Sequence, residues 1–146
     1  MLPLGRELLA PYVKPNADGD PMHRLPGQAS HPLPYLAYAP GAYLGRVVEL
    51  ILKQSGAATW LDRVYETDMA EGLKAMALEG HGIAFLPASA VRRELRSKRL
   101  VSAGEGLETT LDIRIYRERP GTRKAKGSVD AFWNDLEKHL AATAKA

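Results

Sequence analysis

The chain has no cysteine among its 146 residues, and this absence excludes disulfides, thiol catalysis and cysteine metal ligands together. Its four histidines are scattered, and no two of them have the spacing of metal ligands. No apolar run approaches the roughly 20 residues of a membrane-spanning helix, and the first residues lack the pattern of a signal peptide. We therefore expect a cytoplasmic protein that holds no metal ion and makes no contact with a membrane.

Catalytic and cofactor motifs are also missing. Residues 80–85 set two glycines around His81, but a dinucleotide fingerprint needs a third glycine and runs from strand to helix, not from helix to strand. The sequence has no Walker loop, nucleophile elbow or zinc-protease motif. We predict no enzyme, no catalytic residue and no cofactor. His81 is either a turn residue between glycines or a hydrogen-bonding neighbour of a ligand in a cleft.

The net charge of +3 is small, and basic residues concentrate in two clusters, residues 92–99 and 117–126. Either cluster could contact phosphate. Neither is interleaved with the aromatic side chains that stack on unpaired bases, and the first has the pattern of the wet face of a short helix. The favoured interpretation of both clusters is a solvated surface.

Short apolar strands alternate with amphipathic helices along the chain. The first helix has apolar residues at the i, i+3, i+4 spacing of one buried face: Leu44, Val47, Val48, Ile51 and Leu52. The second runs from a capping box of Asp68 and Glu71 to a glycine cap at Gly80. A short helix at 88–97 and a long one at 128–145 follow. Strands are expected at residues 8–13, 34–39, 64–65, 83–86, 100–101 and 111–116. This alternation predicts an α/β fold with largely parallel pairing, and residues 14–34 form a long connection.

Two side chains near predicted helix starts invite a functional interpretation. Met69 stands at a helix N-terminus and at the carboxyl end of a strand, where ligands gather in open α/β sheets. Its thioether either packs in the core or contacts a ligand or an oxidant. Arg46 is either a surface residue or the wall of a cleft, where the amides around Gly41 and Ala42 would help it hold an anion.

The order of the motifs resembles the C-terminal part of the effector-binding domain of LysR-type transcriptional regulators. Three segments carry this resemblance: the helix entrance at residues 67–69, the Gly-His-Gly-Ile-Ala-Phe-Leu-Pro stretch at 80–87, and the closing helix at 128–140. More narrowly, residues 39–46 and 68–76 look like the hypochlorite-responsive branch of that family. In that branch the implied trigger is methionine oxidation, and Met69 is the position that fits.

The resemblance implies a periplasmic-binding-protein-like (type 2) fold, in which two lobes joined by crossing strands hold an effector between them. Residues 1–13 would be the first crossing strand, 14–105 a complete second lobe, and 106–146 the return crossing and the C-terminal helix of a partial first lobe. The rest of that lobe and the winged helix-turn-helix are absent from this chain. The implied partners are a small-molecule effector or an oxidant, a second copy of the chain, and DNA only through the missing helix-turn-helix.

The sensing residues implied by the resemblance flank two helix entrances: Gly41, Ala42, Tyr43 and Arg46 at the first, Thr67, Asp68 and Met69 at the second, with His81 as a further neighbour. Many members carry a small hydroxyl residue where this chain has residues 41–43, which argues against a simple carboxylate effector. The predicted function is a sensing domain of a transcriptional regulator, and the alternative is a solute-binding module related to periplasmic binding proteins. The closing helix should pack on the missing half-lobe, so its apolar face predicts either dimerisation or repacking of that helix.

Overall fold

The computed structural model describes residues 1–118 and 127–144. Six strands are present: β1 Leu2–Val13, β2 Leu33–Tyr38, β3 Leu61–Thr67, β4 Ile83–Pro87, β5 Val101–Ser102 and β6 Thr109–Ile115. Four α-helices accompany them: α1 Tyr43–Gln54, α2 Ala70–Leu78, α3 Arg92–Arg96 and α4 Gly127–Thr143. A 3₁₀ turn at Ala88–Ala90 precedes α3. The predicted end of the closing helix at residue 145 lies outside the described residues.

The strands form one mixed sheet in the order β3-β2-β4-β1-β5, and β6 pairs with β1 off this path. Its centre is parallel, because β2 pairs in parallel with both β3 and β4. Strand β1 runs antiparallel to β4 and β5. The predicted α/β class is confirmed, and the parallel pairing that the alternating pattern favours is confined to β2, β3 and β4.

The core lies between the sheet and the apolar faces of α1 and α2. Strand β4 is buried from Ile83 to Leu86, which explains its continuous apolar run, since a central strand covered on both faces has no exposed side. Helix α2 contributes Leu73 and Ala77, both fully buried. Full burial of each large apolar side chain contributes roughly 1.5 to 3 kcal/mol, so the helices and the central strands stabilise each other.

The chain divides into two compact units, one of Glu7–Leu111 and one of Met1–Arg6 with the described residues from Asp112 onward. Both divisions fall inside β1 and β6, the two strands that the resemblance assigns as crossings. In the smaller unit Trp133 is the buried side chain of α4, and its Nε1 donates to Glu137 Oε1 at 2.8 Å. Phe132 on the same helix is 62% exposed. The assignment of these units to lobes of a larger domain stays a prediction.

The start of α2 differs from the sequence prediction. The N-cap residue is Met69, in extended conformation, and no side chain caps the helix. Asp68 is exposed and lies one residue before the N-cap position. The predicted capping box of Asp68 and Glu71 is therefore wrong. The local geometry is set instead by Thr67, whose Oγ1 accepts a hydrogen bond from the Met69 N–H at 3.4 Å.

The end of α2 is as predicted. Gly80 has φ +85°, the left-handed conformation that glycine adopts without steric cost. Its N–H donates to the Ala77 carbonyl at 3.0 Å, and the His81 N–H donates to the Met76 carbonyl at 3.1 Å. These two bonds form a Schellman motif, which satisfies carbonyls that the helix itself leaves unpaired.

Candidate functional site

The parallel strands β2, β3 and β4 end at the same edge of the sheet, and two helix entrances meet there. Strand β2 leads through residues 39–42 into α1, and β3 leads through 68–69 into α2. The Ala39 N–H donates to the Thr67 carbonyl at 2.9 Å, which ties the two connections together. The structure therefore brings seven of the eight predicted sensing residues to one edge, in the place where ligands bind to open α/β sheets.

At the α1 entrance the chain turns sharply before the helix. Gly41 has φ +86°, a conformation that favours glycine, and its carbonyl accepts a hydrogen bond from Arg46 Nη2 at 3.4 Å. The N-cap residue Ala42 has no side-chain acceptor, so the first N–H groups of α1 have no side-chain cap. Tyr43, the first helical residue, is exposed. Backbone donors and the Arg46 guanidinium together give this entrance positive character.

At the α2 entrance the thioether of Met69 is the accessible group. Met69 is 63% exposed, while its carbonyl accepts from the N–H groups of Gly72 at 3.1 Å and Leu73 at 3.3 Å. Gly72 also allows close packing, since a Cβ there would lie 3.2 Å from Thr67 Cγ2. Thr67 thus fixes the turn while the Met69 side chain stays in solvent.

Two cavities adjoin the α1 entrance, and Arg46 lines both. A shallow groove of ≈470 Å³ runs along α1, with a mostly apolar lining: Tyr43, Arg46, Val47, Leu50, Ile51, Gln54, Thr109 and Leu111. A smaller cavity of ≈100 Å³ lies behind the loop and includes Tyr38, Gly41, Arg46 and Arg63 in its wall. The groove has the volume of a small-molecule site, and the smaller cavity has room for a few water molecules.

The smaller cavity contains residues that the sequence interpretation missed. Burial raises the pKa of Tyr35 to about 12, and it also raises the pKa of Tyr38. Both phenols are therefore neutral hydrogen-bond donors at physiological pH, and the Tyr38 hydroxyl donates to the Phe85 carbonyl at 2.8 Å. Arg63 lies 6.0 Å from the centre of the Tyr35 ring and 3.3 Å from Glu66. The sequence did offer one signal for Tyr38: it lies two residues before the Pro40-Gly41 turn, and therefore at the end of β2 beside the entrance to α1.

His81 is not part of this group. It follows α2 and precedes β4, so it lies at the amino ends of the parallel strands, whereas Met69 lies at their carboxyl ends. A nine-residue helix separates them by roughly 13 Å. His81 is exposed, and its backbone N–H completes the helix end. Its geometry is that of a turn residue.

The described residues offer no site for a metal ion, since they contain no group of three or more histidine, aspartate or glutamate side chains suitably placed to bind one. Within the same residues every buried side-chain polar atom has a hydrogen-bond partner. None of the described helices has both the length and the apolar character needed to cross a bilayer.

Comparison with known proteins decides the family. The family model for the LysR substrate binding domain matches residues 2–141. The chain belongs to this family. Two curated relatives from Escherichia coli are each 33% identical over 103 residues, or 70% of this chain: the HTH-type transcriptional regulator YjiE of strain K12 and the HTH domain-truncated transcriptional regulator QseD of O157:H7. The chain spans 33% and 41% of the length of these two relatives.

A solved structure agrees with this assignment. The full-length structure of HypT from Salmonella typhimurium, a hypochlorite-specific LysR-type transcriptional regulator, has a TM-score of 0.79 and 27% identity. The match covers 97% of this chain and 46% of HypT. The predicted LysR resemblance and the fold of a LysR substrate-binding domain are thereby confirmed. These relatives are transcriptional regulators and not enzymes.

Proposed function

We propose that this LysR substrate-binding domain is the signal-sensing part of a transcriptional regulator and that it responds to a chlorine oxidant through Met69. The observation that carries the proposal is an exposed thioether at an uncapped helix N-terminus, on the sheet edge where LysR-type domains would meet an effector. It is supported by the likeness to HypT, a hypochlorite-specific LysR-type transcriptional regulator. Thr67 positions the methionine, Asp68 precedes it as an exposed neighbour, and Arg46, Tyr43, Ala42 and Gly41 form the neighbouring entrance.

The proposed reaction is a two-electron oxidation of the Met69 sulfur. The thioether gains one oxygen atom and becomes a sulfoxide, while hypochlorous acid is reduced to chloride and releases a proton. An exposed side chain allows the oxidant to approach the sulfur directly. The product is polar and chiral, and sulfoxide reductases return it to the thioether, so the change is a reversible signal.

Oxidation would alter α2 because its N-terminus has unpaired donors. Within the described residues, the N–H groups of Ala70 and Glu71 have no side-chain acceptor, and the N-cap residue is an apolar methionine. A sulfoxide oxygen on Met69 is a hydrogen-bond acceptor at the end of a side chain as long as that of glutamate. It could accept from one of these donors. The shorter Ser, Thr, Asp and Asn side chains that cap helices in this way contribute about 1 kcal/mol, which is the upper limit for the longer sulfoxide. The same oxygen is favoured by the positive end of the helix dipole.

The experiment is a hypochlorite titration with peptide mapping by mass spectrometry and amide hydrogen exchange. We expect Met69 to be oxidised at substoichiometric oxidant and amide exchange to slow in the first turn of α2. The matched control is Met22→Leu, which removes another exposed methionine (43%) and leaves this response unchanged, whereas Met69→Leu abolishes it. Complete oxidation of Met69 with unchanged exchange and unchanged oligomeric state would contradict the proposal.

A small-molecule effector is the second candidate signal. Both this candidate and the alternative of a solute-binding module rest on the groove along α1. The groove along α1 pairs an apolar floor with one arginine, Arg46, which suits an amphipathic organic anion. A thermal-shift screen of amino acids, sugars and organic acids tests it. A ligand that raises Tm in the unmodified chain, and loses its effect in Arg46→Gln, would favour this candidate over the oxidant.

We also propose that the domain acts in the cytoplasm as a homo-oligomer. Support comes from α4, where Val129 and Phe132 are exposed on a helix whose buried side chain is Trp133. Large exposed apolar side chains side by side favour association. Sedimentation at micromolar concentration should give at least a dimer, and Phe132→Ser should shift it toward monomer. A compact wild-type monomer would overturn this part of the proposal.

A further inference from the structure

Positive charge is concentrated on two short segments, residues 92–99 and 117–126, and the structure describes the whole of the first. The chain has 20 basic and 17 acidic side chains, and residues 92–99 contain five of the basic and one of the acidic ones. Residues 117–126 have the same content, and the rest of the chain is acidic, with ten basic and fifteen acidic side chains. Each segment alone therefore carries more positive charge than the net charge of +3.

The single acid of this segment does not neutralise its surface. Glu94 is 6% exposed and already paired, with Lys74 Nζ at 3.2 Å and Arg99 Nη2 at 3.4 Å. Four exposed cations remain, which we call the basic surface: Arg92, Arg93, Arg96 and Lys98. Among the described residues, none of the four has a carboxylate within 4.0 Å. The dipole of α3 favours cations in the last turn of the helix. This weak attraction does not explain why four exposed cations are placed together.

A second observation concerns Lys98, which ends α3. It is the one non-glycine residue with positive φ (56°) in the described part of the chain. The Lys98 N–H bonds the Leu95 carbonyl at 3.2 Å and the Arg99 N–H bonds the Glu94 carbonyl at 2.9 Å, so this is a Schellman position that favours glycine. A lysine here adds a fourth exposed cation to a segment with three exposed arginines, at the cost of backbone strain. Observed strain of this kind points to a use for the side chain.

We propose that the basic surface binds the phosphate backbone of duplex DNA. Four residues of helix rise about 6 Å from Arg92 to Arg96, and over that length of the duplex axis one strand carries about two phosphates. Backbone contacts carry no sequence information, so operator recognition stays with a helix-turn-helix. This proposal goes beyond the expectation that DNA is contacted only through that domain. The inference rests on the proposed function, because a DNA-bound regulator holds this domain near a duplex.

The test is fluorescence anisotropy of the reduced chain with a labelled duplex of arbitrary sequence, from 50 to 200 mM salt. With about three phosphates neutralised, log affinity should fall with log salt at a slope of about −3, a loss of roughly 50-fold over this range. The variant Arg92→Gln, Arg93→Gln, Arg96→Gln should bring the slope close to zero. The matched control Arg24→Gln, Lys53→Gln, Lys138→Gln removes the same charge from other exposed positions and should keep the slope.

Three outcomes overturn the inference. These are no binding at 50 mM salt, equal loss in both triple variants, or displacement by poly-glutamate as effective as displacement by unlabelled duplex, which would indicate an acidic protein partner. A second measurement uses Lys98→Gly, for which we expect higher stability together with weaker DNA binding. An unfolded variant would lose both. Relief of strain should raise Tm by about 2 to 4 °C, while DNA affinity falls several-fold. The DNA-binding measurements use unoxidised protein throughout. A failure to bind DNA therefore does not count against the Met69 response, and a failure of the Met69 response does not count against DNA binding.

Discussion

The two ends of α2 are held in opposite ways. At the C-terminus, backbone hydrogen bonds to the carbonyls of Met76 and Ala77 close the helix, and the buried strand β4 follows after a connection of four residues. At the N-terminus, Met69 is an extended residue without a capping side chain, and its thioether is in solvent. Backbone geometry and burial determine the C-terminal end of α2, whereas the N-terminal end is exposed to solvent and to reagents. The open end is where a change of one side chain can alter the helix without disturbing the core.

The largest effect is expected at the buried end, from Gly82→Ala. A Cβ on Gly82 would lie 2.6 Å from the Pro34 carbonyl oxygen, and neither backbone can move without shifting the parallel strands β2 and β4. We expect a loss of about 3 kcal/mol in the free energy of unfolding, measured by urea denaturation. Gly19→Ala, with nothing within 4 Å of its Cβ, should cost about 1 kcal/mol through its positive φ alone. Equal losses would contradict the close-approach explanation.

The next effect concerns the contact between the middle of α2 and α3. Glu94→Gln removes the charge that pairs with Lys74, and we expect a loss of about 2 kcal/mol. A hydrogen bond from its own backbone, and then Lys74 and Arg99, lower the Glu94 pKa from its usual 4.5. The carboxylate therefore contributes stability above pH 4.5, and the contribution is lost as the pH falls through the lowered pKa.

Urea denaturation between pH 3 and 7 measures this effect. The wild-type protein should lose more stability over that range than Glu94→Gln, and the two curves should converge at the acidic end. Glu71→Gln is the control, because Glu71 also approaches Lys74, at 3.7 Å, but is exposed. Its removal should cost at most about 0.5 kcal/mol. Parallel curves for wild type and Glu94→Gln would show that this carboxylate does not shape the acid response.

A moderate effect is expected from Gly80→Ala at the helix C-terminus. The new Cβ would meet the flexible Lys14 side chain at 3.3 Å, so the cost comes from the left-handed backbone and not from a clash. We expect a loss of about 1.5 kcal/mol, with Gly80→Asn losing less because asparagine tolerates this conformation. Thermal denaturation of both variants ranks them, and a ranking with alanine above asparagine would contradict this account.

The smallest effect in this comparison, and a gain, is expected at the open end. Met69→Asp supplies the missing N-cap acceptor and a negative charge at the positive end of the helix dipole, so stability should rise by about 1 kcal/mol. Met69→Leu keeps the apolar side chain and should leave Tm unchanged. If aspartate stabilises the helix no more than leucine does, the N-terminus already has its hydrogen bonds, and the proposed effect of the sulfoxide loses its basis.

The sequence predicted the closed end of α2 better than the open one. Gly80 is a local signal, because few other residues accept its backbone conformation, and the prediction of the helix end is confirmed. The capping box at Asp68 was also a local pattern, but it failed because Thr67 already serves the turn at the end of β3. Arg63 and Leu111 were missed at the site because neither belongs to a helix entrance. The pairing of β2 with β3 brings Arg63 to the smaller cavity, and the return of the chain along β6 brings Leu111 to the groove.

By itself the sequence determined the alternation of strands and helices, the buried face of α1 and the continuous burial of β4, since these depend on side-chain periodicity and on glycine conformation. It also carried enough of the LysR pattern to indicate the family. The tertiary structure alone decided which residues share a site. Parallel pairing of β2 with β3 and β4 brings Arg46 and Met69 to the carboxyl edge and leaves His81 at the opposite edge. Proximity across a sheet depends on strand order, and strand order is set by long-range packing that no local motif specifies.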